Sequence, residues 1–287
     1  METVLVTGAA GTTGSALVRQ LSDYDVTVRA ALHSRGSGGD LTDTADEVVE
    51  IDMNDPGTLS PAFEGVDRIY LLTPSLADQT PQVENLVDAA VTADVKHIVR
   101  HSALGAGTAD PPYSLAANHN TAEDIVAEAG IATTFVRPTA FMQNLLNDAE
   151  SVHEQSAIYS PVGHPVAYVD ARDVAAVAAT VLTGESHDGE AYPVTGPEAI
   201  THADIVAALS KELGRDIKHV QVGMDDAREG MLNAGMPEDL ADGLVGLLEW
   251  FEAGGGANVY STVEDLTGSP SRSIDTFVAD YAGEFGA

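Results

Sequence analysis

Apolar residues in the first half of the chain follow two patterns, short apolar runs and helical spacing. Residues 3–7 form an apolar run typical of a buried parallel strand, and residues 26–32 alternate like a second strand. Strands that alternate with helices imply right-handed crossovers, so the pattern predicts an α/β fold with a doubly wound parallel sheet. Further strands are predicted at residues 48–51, 66–72, 97–100 and 133–136, with helical spacing at 15–21, 81–93 and 116–129.

The alternation is looser after Pro138. Thr201 is predicted to cap a helix, and Gly214 to end that helix. We predict a sheet domain over residues 1–155 and a smaller α/β lobe over residues 156–287, partly interleaved with the sheet. The later elements are predicted as a strand and a helix within residues 165–183 (the helix at 174–182), a strand at 191–195, and helices at 204–213 and 238–253.

Charge changes this picture of an ordinary globular chain. Asp and Glu number 45 against 13 Lys and Arg, which gives a net charge of −32, and the acids are spread along the sequence. Such a surface is typical of proteins from high-salt cytoplasms, where salt screens the self-repulsion. The alternative is an acidic surface that binds a partner. Direct nucleic-acid binding is not expected, because phosphates need a basic patch.

Several classes of protein are disfavoured by what the sequence lacks. No apolar run approaches the length of a membrane span, and the first residues lack the basic start of a signal peptide. The absence of cysteine excludes disulfides and thiol nucleophiles. The histidines show no spacing typical of metal ligands, so no metal is expected. A cytoplasmic location is the expectation.

A glycine-rich turn follows the first predicted strand. Gly8, Gly11 and Gly14 have the spacing G-x-x-G-x-x-G, between an apolar run and a helical pattern. Glycines at such a turn permit close approach of the backbone to a pyrophosphate, and Thr12 and Thr13 can donate to phosphate at the helix N-terminus. The turn predicts a dinucleotide site, and the alternative is a turn with a structural role only.

The end of the second predicted strand indicates which dinucleotide binds. No acid occurs from residue 26 to residue 39, whereas Arg29, His33 and Arg35 lie close together in a chain with few cations. NAD sites place an acid here for the ribose hydroxyl, and a cation accommodates the extra phosphate of NADP. We therefore predict NADP(H), with NAD(H) possible because His33 is a weaker cation than arginine. The alternative is an arginine that pairs with surface acids.

These motifs together resemble the NmrA-like family, which is related to the short-chain dehydrogenase/reductases but atypical of them. The resemblance spans nearly the whole chain, and its most specific parts are the glycine turn and the RPTAFMQN segment. The segments that carry it are TGAAGTTG (7–14), VRAALHSR (28–35), IDM (51–53), LLTP (71–74), VKHIVRHSALGA (95–106), FVRPTAFMQNLL (135–146), YVDARDVA (168–175) and YPVTGPEAITHADI (192–205).

The resemblance implies a Rossmann domain with a small lobe that closes over the nicotinamide. By position it assigns the pyrophosphate to Gly8, Gly11, Thr12, Thr13 and Gly14 of the glycine turn. It also implies roles for three further groups of residues. These are His33, Ser34 and Arg35 at the adenosine 2′ side, Asp52 and Met53 at the adenine, and Leu72, Thr73 and Pro74 at the nicotinamide ribose. Asp52 could instead cap a turn, and Pro74 could simply end a strand.

The usual proton relay of short-chain dehydrogenases is absent. None of the eight tyrosines has a lysine four residues later. By resemblance the lysine position is His119 and the tyrosine position is Leu115. His119, Ser102 and Tyr113 remain candidate catalytic residues, for the ribose, the pocket wall and the substrate respectively. The alternatives are a core or capping histidine for His119 and a packing tyrosine for Tyr113.

Two functions from different classes fit this sequence. The first is an oxidoreductase that passes hydride from NADPH to a quinone-like or carbonyl acceptor, since a quinone accepts hydride without a protein acid. The second is a redox sensor without catalysis, which binds NAD(P)(H) and regulates a partner protein. A reductase or isomerase of a salt-adapted pathway is a third. The expected partners are accordingly a small-molecule acceptor or a regulatory protein, and a monomer or homodimer is expected.

Overall fold

The computed structural model describes residues 1–34, 36, 39, 41–74 and 78–286, with only the backbone at Thr42. The chain forms two compact units, which are not consecutive stretches of sequence. The sheet unit comprises Met1–Pro111, Ala116–Arg137 and Ala171–Pro193, and the second unit comprises Pro112–Leu115, Pro138–Asp170 and Val194–Ala287.

A seven-stranded sheet forms the centre of the sheet unit. Its order is β3-β2-β1-β4-β5-β6-β8, and the chain therefore reverses its direction of travel between β1 and β4. The paired strands run parallel, which confirms the predicted doubly wound α/β sheet. The strands are β1 (Glu2–Val6), β2 (Val26–Leu32), β3 (Glu47–Glu50), β4 (Arg68–Leu71), β5 (His97–His101), β6 (Ala132–Pro138), β7 (Ala157–Ser160), β8 (Ala191–Val194) and β9 (Lys218–Gln221).

Helices cover both faces of this sheet. Right-handed crossovers place α1 on one face and α3, α4 and α5 on the other, because the strand order reverses at β1. The core on the second face includes Leu5 and Ile98 from strands and Leu86 and Val126 from helices. The helices are α1 (Thr12–Leu21), α2 (Leu41–Thr44), α3 (Pro56–Phe63), α4 (Thr80–Thr92), α5 (Ser114–Glu128), α6 (Ala149–Gln155), α7 (Ala171–Thr183), α8 (His202–Leu213), α9 (Met224–Asn233), α10 (Glu238–Glu252), α11 (Thr262–Thr267) and α12 (Ile274–Asp280).

The second unit has its own small parallel sheet and core. Strands β7 and β9 pair, and α8 packs on both of them. The core of this unit combines Ile158 of β7, Leu209 of α8, Phe251 of α10 and Phe277 of α12. Helix α9 buries no residue completely and packs on α10.

One element differs from its prediction. Residues 165–170 form no strand, since Val166 and Val169 each make only an isolated bridge, to Ile200 and Phe141. The helix predicted at residues 174–182 begins earlier, at Ala171. At Thr201 the structure has the predicted cap, and Asp204 completes a capping box. In the described part of the chain, no helix is long and apolar enough to cross a membrane.

Candidate active site

The carboxyl edge of the large sheet collects most of the residues predicted for the site. The glycine turn follows β1, Ser34 follows β2, Asp52 follows β3, Thr73 follows β4 and Ser102 follows β5. Ligands of open α/β sheets bind at this edge, where the strand order reverses. Arg35 lies outside the residues that the structure describes.

The glycine turn brings the start of α1 close to the end of β1. Gly8 has a φ of +62°, and a Cβ added at Gly14 would lie 2.2 Å from the Gly8 carbonyl oxygen. Gly11 caps α1 without a side-chain hydrogen bond, and the first turn of α1 holds no acid. The N-terminus of a helix leaves backbone N–H groups without helical partners and attracts negative charge. This turn therefore has the geometry and the electrostatics to bind a phosphate group.

The chain that leaves β4 is fixed against this turn. The Thr7 hydroxyl donates to the Leu72 carbonyl at 2.8 Å and accepts from the Leu72 amide at 2.8 Å. A Cβ at Gly8 would lie 2.5 Å from Cδ2 of Leu72, and this contact together with the positive φ of Gly8 favours glycine here. Thr73 is buried and Pro74 is exposed. The structure thus brings together two of the segments that the resemblance assigns to one ligand.

The residues that follow β2 are more exposed than those that follow β1 and β4. His33 and Ser34 are exposed. Arg29, counted in the predicted cation cluster, donates instead to Glu47 at 2.5 Å and to the Ala62 carbonyl at 2.8 Å. Its guanidinium is therefore engaged within the fold, and the remaining cations of that cluster are His33 and Arg35.

Asp52 and Met53 begin the turn that follows β3. The Asp52 Oδ1 accepts from the Asn54 amide at 2.9 Å, so Asp52 does cap a turn, which was the alternative to a contact with adenine. The Met53 carbonyl accepts from Asn85 of α4 at 2.9 Å. Both contacts hold the backbone of this turn, and a role toward adenine stays a prediction.

Ser102 belongs to a buried hydrogen-bond cluster that sequence reasoning did not identify. Its hydroxyl donates to Oε1 of Glu123 at 2.5 Å. Arg137 of β6 donates to both oxygens of the same carboxylate, at 2.9 Å and 2.5 Å. A cleft of about 330 Å³ opens beside this pair. The single proton of the Ser102 hydroxyl is used by Glu123, so the serine can offer a ligand only its lone pairs in this arrangement.

His119 lies on α5, one turn before Glu123. Its Nδ1 is buried and has no hydrogen-bond partner among the described residues. Burial, together with the positive charge of Arg100, lowers the pKa of His119 to about 3. The imidazole is therefore neutral near pH 7 and has one donor and one acceptor nitrogen. It can hydrogen-bond a ligand, but it is not a cation that replaces the relay lysine.

Tyr113 belongs to the second unit. Its ring lies 5.2 Å from that of Trp250, centroid to centroid, and the residue is 9% exposed. Burial raises the pKa of its phenol above the ordinary value. Leu115, at the position of the relay tyrosine, packs against Gly243 of α10. These contacts give Tyr113 a packing role, and contact with a substrate stays a prediction.

Arg100 and the hydrogen-bonded pair of Tyr70 and His101, at the same edge, were missed from the sequence. Arg100 of β5 is 1% exposed, and burial lowers its pKa to about 10. The Tyr70 hydroxyl is hydrogen-bonded to Nδ1 of His101 at 2.5 Å, and burial lowers the pKa of His101 to about 3. The available signal was the VRH run, since two polar residues end a strand that is otherwise apolar.

Comparison with known proteins identifies the family of this chain. The model of the NmrA-like family matches residues 1–282. The chain belongs to the NmrA-like family. It is 38% identical over 285 residues to the NAD(P)H azoreductase of Xenophilus azovorans, and 99% of each chain is covered.

Solved structures show the same fold. The NADPH-dependent quinone oxidoreductase QOR2 of Escherichia coli, complexed with NADPH, is 27% identical and superposes with a TM-score of 0.86, covering 97% of this chain and 99% of its own. The triphenylmethane reductase of Citrobacter sp., complexed with NADP(H), is also 27% identical, with a TM-score of 0.83 and coverage of 98% and 99%.

Proposed function

We propose that this chain is an NADPH-dependent reductase, which passes hydride to an electron-poor acceptor such as a quinone, an azo compound or a carbonyl. The observation that carries the proposal is the glycine turn. The first turn of α1, which follows it, contains no acidic residue, and Gly8 lies close to Leu72 at the end of β4. The relatives support it, because an azoreductase, a quinone oxidoreductase and a triphenylmethane reductase carry the reductase function in their names.

The residues at the carboxyl edge fit a dinucleotide. Gly8, Gly11, Thr12, Thr13 and Gly14 would hold the pyrophosphate through backbone N–H groups and hydroxyls. His33, Ser34 and Arg35 would hold the adenosine 2′-phosphate, and Asp52 and Met53 would contact the adenine. Leu72, Thr73 and Pro74 would line the nicotinamide ribose. The close approach of α1 to Gly8, where no Cβ fits at Gly14, supports the pyrophosphate part of this assignment.

NADPH supplies a hydride from its nicotinamide ring, which is two electrons and one proton in a single transfer. This chain then has to orient the acceptor. Neutral His119 can hydrogen-bond a ribose hydroxyl or an acceptor oxygen without supplying a strong acid. The Ser102 hydroxyl already donates its proton to Glu123, so Ser102 does not donate to the acceptor. The second proton of the reduced acceptor therefore comes from water, which suits acceptors that take hydride without prior protonation.

The reductase proposal is preferred to the sensor because of the relatives at 27–38% identity over nearly the whole chain. A test of both compares binding with turnover. NADPH and NADH affinity is measured by fluorescence in molar KCl, and oxidation of each is then followed with quinones, azo dyes and carbonyls. We expect binding and turnover. Binding of NADPH without turnover on any acceptor would favour the sensor.

The preference for NADPH is tested separately at the end of β2. Replacing Arg35 with Ala is expected to weaken NADPH binding by about tenfold or more while NADH affinity changes little, because the proposed partner of this cation is the phosphate that only NADPH carries. Arg29→Ala is the matched control, since the Arg29 guanidinium is already engaged by Glu47. An equal loss for NADPH and NADH in Arg35→Ala would contradict the assignment.

A further inference from the structure

Arg100 is a completely buried arginine at the carboxyl end of β5. It pairs in register with Leu71 of β4 and lies two residues after Ile98, so it shares a sheet face with apolar core residues. A position of this kind ordinarily holds a branched apolar side chain. An arginine here therefore requires an explanation.

The hydrogen bonds of Arg100 all reach the chain that leaves β4 and the start of α4. Nη1 donates to the Leu71 carbonyl at 3.0 Å, and Nη2 donates to Thr73 Oγ1 at 3.1 Å and to Gln79 Oε1 at 2.5 Å. None of these acceptors is a carboxylate. The Nε atom is buried and has no partner among the described residues. Burying a cation among neutral partners lowers the stability of the fold. An apolar residue of similar volume often gives a fold that is at least as stable.

The Gln79 side chain accepts a hydrogen bond from Arg100 and does not cap its own helix. Gln79 occupies the N-cap position of α4, but its side chain makes no cap hydrogen bond. Asp78 accepts from the Thr80 amide at 2.9 Å instead. The Gln79 side-chain oxygen accepts from both Arg100 and the Thr73 hydroxyl. The Thr73 side chain is thereby held from two directions.

The residue between these contacts is held as well. The Thr7 hydroxyl bonds both the amide and the carbonyl of Leu72. Arg100 and Thr7 together therefore fix three consecutive residues, Leu71, Leu72 and Thr73, at the edge of the sheet. Fixing a segment before a ligand arrives reduces the entropy that binding must overcome.

We propose that Arg100 is a positioning residue, which fixes the chain from Leu71 to Thr73 in the conformation that receives the nicotinamide ribose. This inference rests on the proposed function, because Leu72 and Thr73 are assigned to that ribose. A second effect of the same guanidinium supports it. Burial, and to a smaller extent this charge, lower the pKa of His119 and keep that imidazole neutral.

The test uses four variants of the full chain. Arg100→Met removes the fork, Arg100→Lys keeps the charge but lacks the geometry for three acceptors, and Gln79→Met removes one acceptor without touching the charge. Arg68→Met is the control, since Arg68 also lies on a central strand and donates to a backbone carbonyl, that of Gly184, but at the opposite edge. The measurements are melting temperature, hydrogen exchange of residues 71–73 without cofactor, and NADPH affinity.

In Arg100→Met and Arg100→Lys we expect faster exchange at residues 71–73 and about tenfold weaker NADPH binding, with a smaller loss in Gln79→Met. Arg68→Met should lower the melting temperature and leave NADPH affinity unchanged. If Arg100→Met does not fold, the exchange rate and the NADPH affinity of Gln79→Met test the inference in its place. Wild-type exchange and affinity in all foldable Arg100 and Gln79 variants would overturn the inference. Failure of the wild type to bind NADPH would instead contradict the proposed function.

Discussion

At the scale of single residues, the Glu123 carboxylate is the most consequential group at the carboxyl edge. It is buried and accepts from Ser102 and twice from Arg137. Glu123→Gln leaves Arg137 without its anion, and we expect the free energy of unfolding to fall by about 3 kcal/mol. Ser102→Ala removes one hydrogen bond to a charged group and should cost about 1.5 kcal/mol. Denaturant unfolding in molar KCl measures both changes.

A surface pair provides the control for this prediction. Asp242 and Arg228 pair at 2.6 Å, and their side chains are 55% and 32% exposed. Asp242→Asn is the same chemical change as Glu123→Gln and should have little effect on stability, because water and salt screen an exposed pair. Equal stability losses in Glu123→Gln and Asp242→Asn would contradict the importance assigned to the buried cluster.

The buried His119 should make the stability of the fold depend on pH. Its pKa is lowered to about 3 in the fold, whereas an unfolded histidine titrates near 6.5. As pH falls below 6.5 the unfolded chain gains a proton that the folded chain does not, so stability falls. His119→Asn should remove about 2 kcal/mol of the stability lost between pH 6.5 and pH 4.5.

The measurement is the difference in unfolding free energy between wild type and variant across that range, so that other titrating groups cancel. His97, whose pKa burial lowers to about 4, offers a second variant with the same expected sign. Stability curves for wild type and His119→Asn that run parallel from pH 6.5 to pH 4.5 would contradict the burial of a neutral imidazole.

How far the sequence predicts single residues depends on their surroundings. The glycine turn was recognisable because its spacing is local. The engagement of Arg29 with Glu47 and of Ser102 with Glu123 joins residues far apart in sequence, and only the fold brings them together. Arg100 was missed for the same reason, since all of its acceptors lie on other elements.

At the scale of elements, the contact between α1 and the glycine turn determines whether the edge can hold a phosphate. A Cβ at Gly14 would overlap the Gly8 carbonyl, so Gly14→Ala must push α1 away from β1. We expect NADPH affinity to fall at least about tenfold, together with a lower melting temperature, because the helix N-terminus moves away from the ligand.

Gly230→Ala is the matched change for Gly14→Ala, since Gly230 also lies within a helix, α9, and a Cβ there meets nothing within 4 Å. It should raise stability by about 0.5–1 kcal/mol through helix propensity and leave NADPH binding unchanged. Wild-type NADPH affinity in Gly14→Ala would contradict the assigned role of the turn.

Most strands of the large sheet were predictable because they are apolar runs or, as in β2, alternate in polarity. The small strands β7 and β9 were missed, since AIYS and KHVQ are short and mixed, and most residues of β9 are exposed. The segment before α7 shows the opposite error. Residues 166–169 are apolar and buried, but this segment makes isolated bridges rather than a ladder.

At the scale of the whole molecule, the net charge of −32 is the dominant property. We propose that the surface is adapted to high salt. Repulsion between carboxylates reaches about 10 Å at 0.1 M salt and about 3 Å at 1 M, so dilution should lower the melting temperature. Thermal unfolding in KCl from 0.1 M to 2 M tests this proposal, and a melting temperature that does not change with KCl would contradict it.

We propose that bound NADPH reduces an acceptor in a site without a tyrosine–lysine relay. The most direct test of this proposal is single-turnover oxidation of NADPH, and of NADPH deuterated at the nicotinamide C4, with a panel of quinones, azo dyes and carbonyls. We expect oxidation by at least one acceptor, with a slower rate for the deuterated cofactor. NADPH that binds tightly and stays reduced with every acceptor would contradict it.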